Sequence, residues 1–306
     1  MDGPVVVLAG GTGGAKLARG MADAVGEDLV VVANTGDDVE VYGAHVSPDP
    51  DLVAFWLADR IDARGWGLAG DTFHVMEGLR ELGAEVWFKL GDRDLAIGIE
   101  RARRLAAGER LTDAIAALTR ALGVQARVLP MCDEPVRTRV RARGREWPFQ
   151  EWMILGRGEG PVEGIAFEGA DAARPTPEAL AAIAAARAIV IGPSNPVVSI
   201  GPILAVPGMR EALRAAAAPV VAVSPVVGGA VLKGPTAACL AWAGQPVSAA
   251  GVAVLHGDVL DGIVADEDAG PLPTLRTDLL MADGAGRARL AREALGFADA
   301  LRGARG

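Results

Sequence analysis

The feature that most constrains this chain lies in its first 25 residues. Val5-Val6-Val7-Leu8-Ala9 is an unbroken apolar run, Gly10-Gly11-Thr12-Gly13-Gly14 follows at once, and residues 15–25 repeat apolar positions at helical spacing. A strand that is apolar on both sides must be covered on both faces, as in parallel sheets flanked by helices. The run is too short for a signal-peptide core, and Met1-Asp2-Gly3-Pro4 ahead of it carries no basic residue.

The same rhythm continues. Residues 29–33 read as a second buried strand, 51–61 and 72–82 as helices, 85–90 as a short strand and 94–107 as a helix. Strand, helix, strand in this order predicts right-handed crossovers and a mostly parallel sheet. The middle differs. From Arg137 to Arg143 arginines alternate strictly with small or apolar residues, so the arginines share one face of a strand, read as a solvated face. Residues 149–155 and 162–167 are also strand-like, and 112–122 helical. An inserted α+β lobe is therefore expected at about 105–175. The rhythm then resumes: a helix over 176–187 with Thr176 as N-cap, strands at 188–191 and 220–223, helices at 208–217 and 234–243, and an amphipathic helix over 284–301. The expected fold is α/β: one doubly wound, mostly parallel Rossmann-like domain over residues 1–306 carrying that smaller lobe.

Composition narrows the function classes. With 306 residues the chain can bury a large core without covalent staples. Its 2 cysteines, Cys132 and Cys239, are too few for a disulfide scaffold, so a reducing cytoplasmic setting is expected. The balance of 30 Lys+Arg against 39 Asp+Glu, net −9, argues against a nucleic-acid partner. No stretch approaches the ~20 apolar residues of a membrane span, so no membrane association is expected.

The glycine loop joins a buried strand to a helix. Its glycines let the backbone approach a ligand, and the helix start offers unpaired N–H groups and partial positive charge to a phosphate. Thr12 and Lys16 add a hydroxyl and a cation. The loop fails the dinucleotide fingerprint, because Lys16 stands where the third glycine belongs. It also fails the P-loop pattern, because Lys16 follows Ala15 and precedes Leu17. After the second strand come Asn34-Thr35-Gly36-Asp37-Asp38 and then Ser47-Pro48-Asp49-Pro50-Asp51. These sit at the carboxyl ends of strands, where open α/β sheets bind ligands. Four carboxylates facing a phosphate loop need an intervening cation, and Mg²⁺ suits carboxylate plus phosphate oxygens. Alternatively, Asp49 or Asp51 caps the following helix.

These segments resemble the 2-phospho-L-lactate transferase family. So do Leu90-Gly91-Asp92-Arg93-Asp94-Leu95-Ala96, Pro130-Met131-Cys132-Asp133-Glu134-Pro135-Val136, Phe149-Gln150-Glu151-Trp152, Ile191-Gly192-Pro193-Ser194-Asn195-Pro196, Ser199-Ile200-Gly201-Pro202-Ile203 and Ser224-Pro225-Val226-Val227-Gly228-Gly229. The matches run in order from about residue 5 to 283. The resemblance implies a role in making the deazaflavin coenzyme F-420. The implied donor is lactyl- or enolpyruvyl-diphosphoguanosine and the acceptor is the deazariboflavin Fo. Its terminal ribityl hydroxyl would attack the phosphorus beside the three-carbon acid, releasing GMP. Mg²⁺ is the implied cofactor and a homodimer the usual assembly.

On this basis Asp37 and Asp38 are the catalytic candidates, and Asp37, Asp49 and Asp51 the metal candidates. Which aspartate orients the hydroxyl and which holds metal is left open. Gly10, Gly11, Thr12, Gly13, Gly14, Lys16 and Asn34 are expected at the donor. In Ser194-Asn195-Pro196 the side-chain amide can read guanine or hold phosphate, or Asn-Pro simply shapes a turn. Lys89 matches a position the family uses near the acceptor. The family's acidic loop commonly reads Ser-Pro-Asp-Leu-Asp-Thr; here Pro50 and Leu52 replace its leucine and threonine, so Leu52 offers the acceptor apolar contact only. His45, His74 and His256 show no metal-ligand spacing. A competing reading is a non-catalytic nucleotide-sugar-binding regulator of the gluconeogenesis-factor type. Such proteins carry Asp-Asp-Gly-Gly-Ser-Ser-Gly after the second strand, whereas Val39-Glu40-Val41 follows Asp37-Asp38 here. A Rossmann oxidoreductase is disfavoured by the failed fingerprint.

Overall fold

The structure, a computed structural model, describes residues 3–305; Met1 and Asp2, read above for a targeting signal, lie outside the described residues. In chain order the elements begin β1 (Val5–Ala9), α1 (Gly11–Val25), β2 (Leu29–Ala33), β3 (Val39–Val41), β4 (Ala44–Val46), α2 (Pro48–Leu57), α3 (His74–Glu81), α4 (Asp92–Ala106) and α5 (Leu111–Ala121). Then come β5 (Arg127–Pro130), β6 (Arg137–Ala142), β7 (Arg145–Pro148), α6 (Phe149–Ile154), β8 (Val162–Glu168), α7 (Pro177–Ala184), β9 (Ala188–Ile191), α8 (Gly201–Ala205) and α9 (Met209–Ala215). The last are β10 (Val220–Val223), β11 (Val226–Val227), β12 (Ala230–Val231), α10 (Thr236–Trp242), α11 (Ala249–His256), β13 (Gly262–Ala265), β14 (Thr274–Arg276) and α12 (Gly284–Arg305).

Seven strands form a parallel sheet in the order β14-β13-β10-β9-β1-β2-β5. β1 explains why its strand shows no alternation. Val6 and Leu8 join one core layer, with α7, α8, α9 and α11, while Val5, Val7 and Ala9 join the other, with α1, α2, α5 and α12. Every β1 residue is fully buried. The chain leaves β1 toward β2 on one side and returns as β9 on the other. The loops after β1 and β9 therefore diverge and open the crevice in which such sheets bind ligands.

The antiparallel insertion is the sheet β7-β6-β8. It begins at Arg137, because β5 belongs to the central sheet, paired with β2. Thr138, Val140 and Ala142 are buried, and the arginines face outward toward Glu40, Glu168, Glu163 and Glu159. Thr176 caps α7 by accepting the Ala179 amide, as expected.

Two segments depart from the sequence reading. Residues 149–155, expected as a strand, form α6, whose buried Phe149 and Trp152 stand three apart on one helical face. Residues 85–90, also expected as a strand, are irregular. The Phe88 amide donates to the Tyr42 hydroxyl instead of to a strand neighbour, at 2.9 Å. Tyr42 and Gly43, at φ 52° and 77°, form the tight β3–β4 turn that places this hydroxyl.

Among the described residues no helix is long and apolar enough to cross a membrane. Cys132 and Cys239 are free and buried.

Candidate active site

The crevice is a cavity of about 890 Å³, within the size range of small-molecule and cofactor sites. Its floor is the glycine loop. Gly11, at φ 63°, starts α1 in a conformation that L side chains rarely adopt. A methyl group at Gly13 would stand 2.0 Å from the Pro193 carbonyl oxygen, so glycine lets the loops after β1 and β9 touch. The Gly10 amide donates to Ser194 Oγ at 3.2 Å, a second tie between those loops. Gly10, Gly11, Thr12, Gly13 and Lys16 line the cavity. Gly14 does not: it is buried behind the loop, against Ala9 and Ser194.

The acidic loops come up against this floor. Asp49 accepts the Gly11 amide on Oδ1 at 2.6 Å and the Asn34 side-chain amide on Oδ2 at 2.9 Å. Asn34 is fully buried, and its Oδ1 accepts the Gly36 amide. It thus holds the two acidic loops together. Asp37 lines the cavity, and its Oδ1 is buried without a hydrogen-bond partner. Asp38 Oδ1 is likewise orphaned, while its Oδ2 accepts from Ser47 Oγ at 2.7 Å and lies 3.0 Å from His45 Nε2. Asp38 opens on a second cavity of about 630 Å³ lined also by Glu40, His45 and Arg137. Asp37 and Asp38 thus line different cavities.

Asp51 departs from expectation. Arg101 on α4, 1% exposed, binds both of its carboxylate oxygens and also donates to the His45 carbonyl at 2.9 Å. A carboxylate held by both oxygens in a guanidinium fork is a buried ion pair. Of the metal candidates, all of which line the cavity, Asp51 thus has both oxygens engaged by a guanidinium, while Asp37 keeps an unpartnered oxygen.

Electrostatics follow from this crowding. Burial, then Asp49 and Asp38, hold the Asp37 carboxyl well above the usual range, with Asn34 pulling the other way. Burial pushes Asp49 up to about 6, opposed by Asn34 and the Gly11 amide. Asp94, also lining the cavity, is pushed up to about 7 by burial, then by Asp51 and Asp71. Ionised together, these groups repel one another in a poorly solvated space.

Much of the cavity lining is apolar and aromatic. Leu52, Phe55, Trp66, Trp87, Phe88 and Leu90 line it. Lys89 also lines it, its ammonium 4.2 Å from the Phe73 ring centroid. The Leu90–Asp94 motif has a structural basis. Asp92 accepts the His74 and Val75 amides at the start of α3, and Asp71 accepts the Arg93 and Asp94 amides at the start of α4. These reciprocal caps fix the wall that carries Trp87 to Leu90. Ser194 and Asn195 both line the cavity. Asn195 Oδ1 accepts the Val197 and Val198 amides, which shapes the turn. His74 is exposed beside Glu77, and His256 is buried in the scaffold.

Sequence reasoning assigned no site role to Arg101, His45 or Ser47. Each meets its partner across at least one turn, and nothing in the local pattern of α4 marks Arg101.

The 2-phospho-L-lactate transferase CofD family model matches residues 5–284. A phosphoenolpyruvate transferase of Kitasatospora aureofaciens is 41% identical over 97% of this chain and 98% of its own length. A 2-phospho-L-lactate transferase of Methanosarcina mazei is 42% identical, covering 86% and 87%. A phosphoenolpyruvate transferase of Thermobifida fusca is 44% identical, covering 86% of each. Among solved structures, a UPF0052-family protein from Bacillus halodurans superposes with a TM-score of 0.64 at 16% identity, over 96% of this chain and 99% of its own, a likeness of fold. Matched along nearly its whole length, this chain belongs to the 2-phospho-L-lactate transferase CofD family.

Proposed function

We propose that the main cavity transfers a phospholactyl or phosphoenolpyruvyl group from a guanosine diphosphate-linked three-carbon acid to the ribityl hydroxyl of the deazaflavin Fo, releasing GMP, in coenzyme F-420 biosynthesis. The names of the relatives support the class of group transferred. The observation that carries the reading is Asp37: a buried carboxylate with one unpartnered oxygen in a cavity lined by the glycine loop and by aromatic side chains.

Phosphoryl-type transfer is mostly positioning and charge neutralisation. The N–H groups at the start of α1 beyond that of Gly11, which Asp49 takes, receive the diphosphate. Trp66, Trp87, Phe88 and Leu52 provide flat and apolar surface for the deazaflavin ring. The acceptor oxygen forms its bond to the phosphorus bearing the three-carbon acid as the bond from that phosphorus to the GMP oxygen breaks. Asp37 Oδ1 accepts the hydroxyl proton. Asp38 touches neither substrate; its charge keeps the Asp37 carboxyl basic, so it is a positioning residue. The donor set fits Mg²⁺: all oxygen, partly orphaned and mutually repelling. Among the described residues no group of three or more His, Cys, Asp or Glu forms a ready cage, which suits a cation that takes one or two carboxylates and completes its shell with phosphate and water. Asp49 would hold it, and when bound it neutralises phosphate charge.

Thermal protection tests the reading. A guanosine diphosphate ligand with Mg²⁺ at 100 times its Kd stabilises by about 2.7 kcal/mol. Protection by GDP and not by uridine diphosphate-sugars supports the donor assignment; equal protection by both favours the nucleotide-sugar-binding regulator.

A further inference from the structure

Lys16 lies on α1 just past the glycine loop, its ammonium 5.7 Å from the Trp56 ring centroid on α2. Arg287 on α12 holds its guanidinium 5.0 Å from the same ring. Lys233, from the loop between β12 and α10, lines the cavity with Lys16 and reaches toward Gly65. Burial, then Arg287 and Lys233, lower the Lys16 pKa, and among the described residues no carboxylate acts to raise it. Arg287 Nε is buried without a hydrogen-bond partner. Arg19, one turn further along α1, shows the contrast: Asp23 and Asp59 neutralise it.

Three gathered cations are costly unless an anion joins them. In a chain of net charge −9, acidic partners are abundant, so their absence around Lys16 is a specific arrangement. The Trp56 ring face offsets only part of the repulsion. We propose that Lys16, Lys233 and Arg287 form an anion subsite on the α1–α2–α12 seam bordering the cavity, which takes an oxyanion of the bound donor, carboxylate or phosphate. Two ammonium point charges and one planar guanidinium suit either group. The site complements the acidic cluster: oxyanions reached directly by cations need no metal. Naming the donor as the ligand rests on the transferase reading; anion binding itself does not.

The test uses the full chain with Mg²⁺ and compares GDP, which has phosphates and no carboxylate, with both diphosphoguanosine donors. Lys16→Met and Arg287→Gln are expected to weaken donor binding at least about 10-fold, the loss of a charged hydrogen bond. The loss should appear in KM, with kcat changed less. An equal loss of GDP affinity identifies a phosphate. Unchanged GDP affinity identifies the carboxylate of the three-carbon acid. Lys233→Gln, in an exposed loop, carries the test if the helix variants do not fold. GDP and donor affinities within about twofold of wild type in every folded variant overturn the subsite. A wild type that turns over neither donor, yet binds GDP through these cations, refutes the transferase reading and leaves the subsite standing.

Discussion

Asp49 Oδ1 lies 2.6 Å from the Gly11 amide nitrogen, so the first N–H of the glycine helix is taken by the protein's own carboxylate. The phosphate loop and the acidic loop are thus one unit. Gly10 enforces it, since a methyl there would stand 2.8 Å from Asp49 Oδ2. Asn34 completes it through the other Asp49 oxygen.

Asn34→Ala frees that oxygen and removes a donor that lowers the Asp49 pKa. Apparent Mg²⁺ affinity in the presence of GDP is expected to fall by about 10–100-fold, as for lost outer-sphere partners of a metal ligand. Calorimetric titration checks it; unchanged affinity would remove Asp49 from the metal site.

Asp37→Asn should have opposite effects on stability and activity. The raised Asp37 pKa means that its ionised form is costly in the metal-free fold. Without metal at neutral pH, the variant's melting temperature is expected to rise. Turnover should fall by about 10²–10⁴, the usual weight of a positioned acid–base group. A lower melting temperature with normal turnover would contradict the assignment.

Protons and metal compete for Asp49. Burial pushes its carboxyl up to about 6, so apparent Mg²⁺ affinity should weaken as pH falls through that value and level off above it. The metal-free fold behaves in the reverse sense. Between the unfolded pKa and about 6 the native state binds the extra proton, so stability declines as pH rises across that window. Parallel titrations at pH 5 and pH 8 check both signs.

Arg101→Met strands the Asp51 charge. Breaking a buried pair costs about 3–5 kcal/mol, readable by urea unfolding. The double variant Arg101→Met, Asp51→Leu should recover most of that loss and retain Mg²⁺-dependent GDP binding. Loss of metal-dependent binding in the refolded double variant would return Asp51 to the metal set.

Local pattern made β1, β2, α1 and the strand-end aspartates legible, because continuous apolar runs and glycine loops carry their physics within a few residues. Residues 85–90 misled because they are apolar for the cavity and not for a sheet. Residues 149–155 misled because Phe149 and Trp152 are spaced for a helix within a run that also suits a strand. The site's internal partners were illegible for a different reason. Arg101 meets Asp51 from 50 residues away, and Lys16, Lys233 and Arg287 converge only once α1, α12 and the loop after β12 are brought together. Asp51 shows the consequence: the same carboxylate reads as metal ligand in the sequence and as half of an ion pair in the fold.

The most direct test is turnover by the purified chain with Fo, Mg²⁺ and each synthetic diphosphoguanosine donor, following GMP release and the mass of the deazaflavin product. A phosphorylated three-carbon adduct on Fo, formed with one equivalent of GMP and lost on Asp37→Asn, is the predicted result. GDP binding with no adduct from either donor would contradict it.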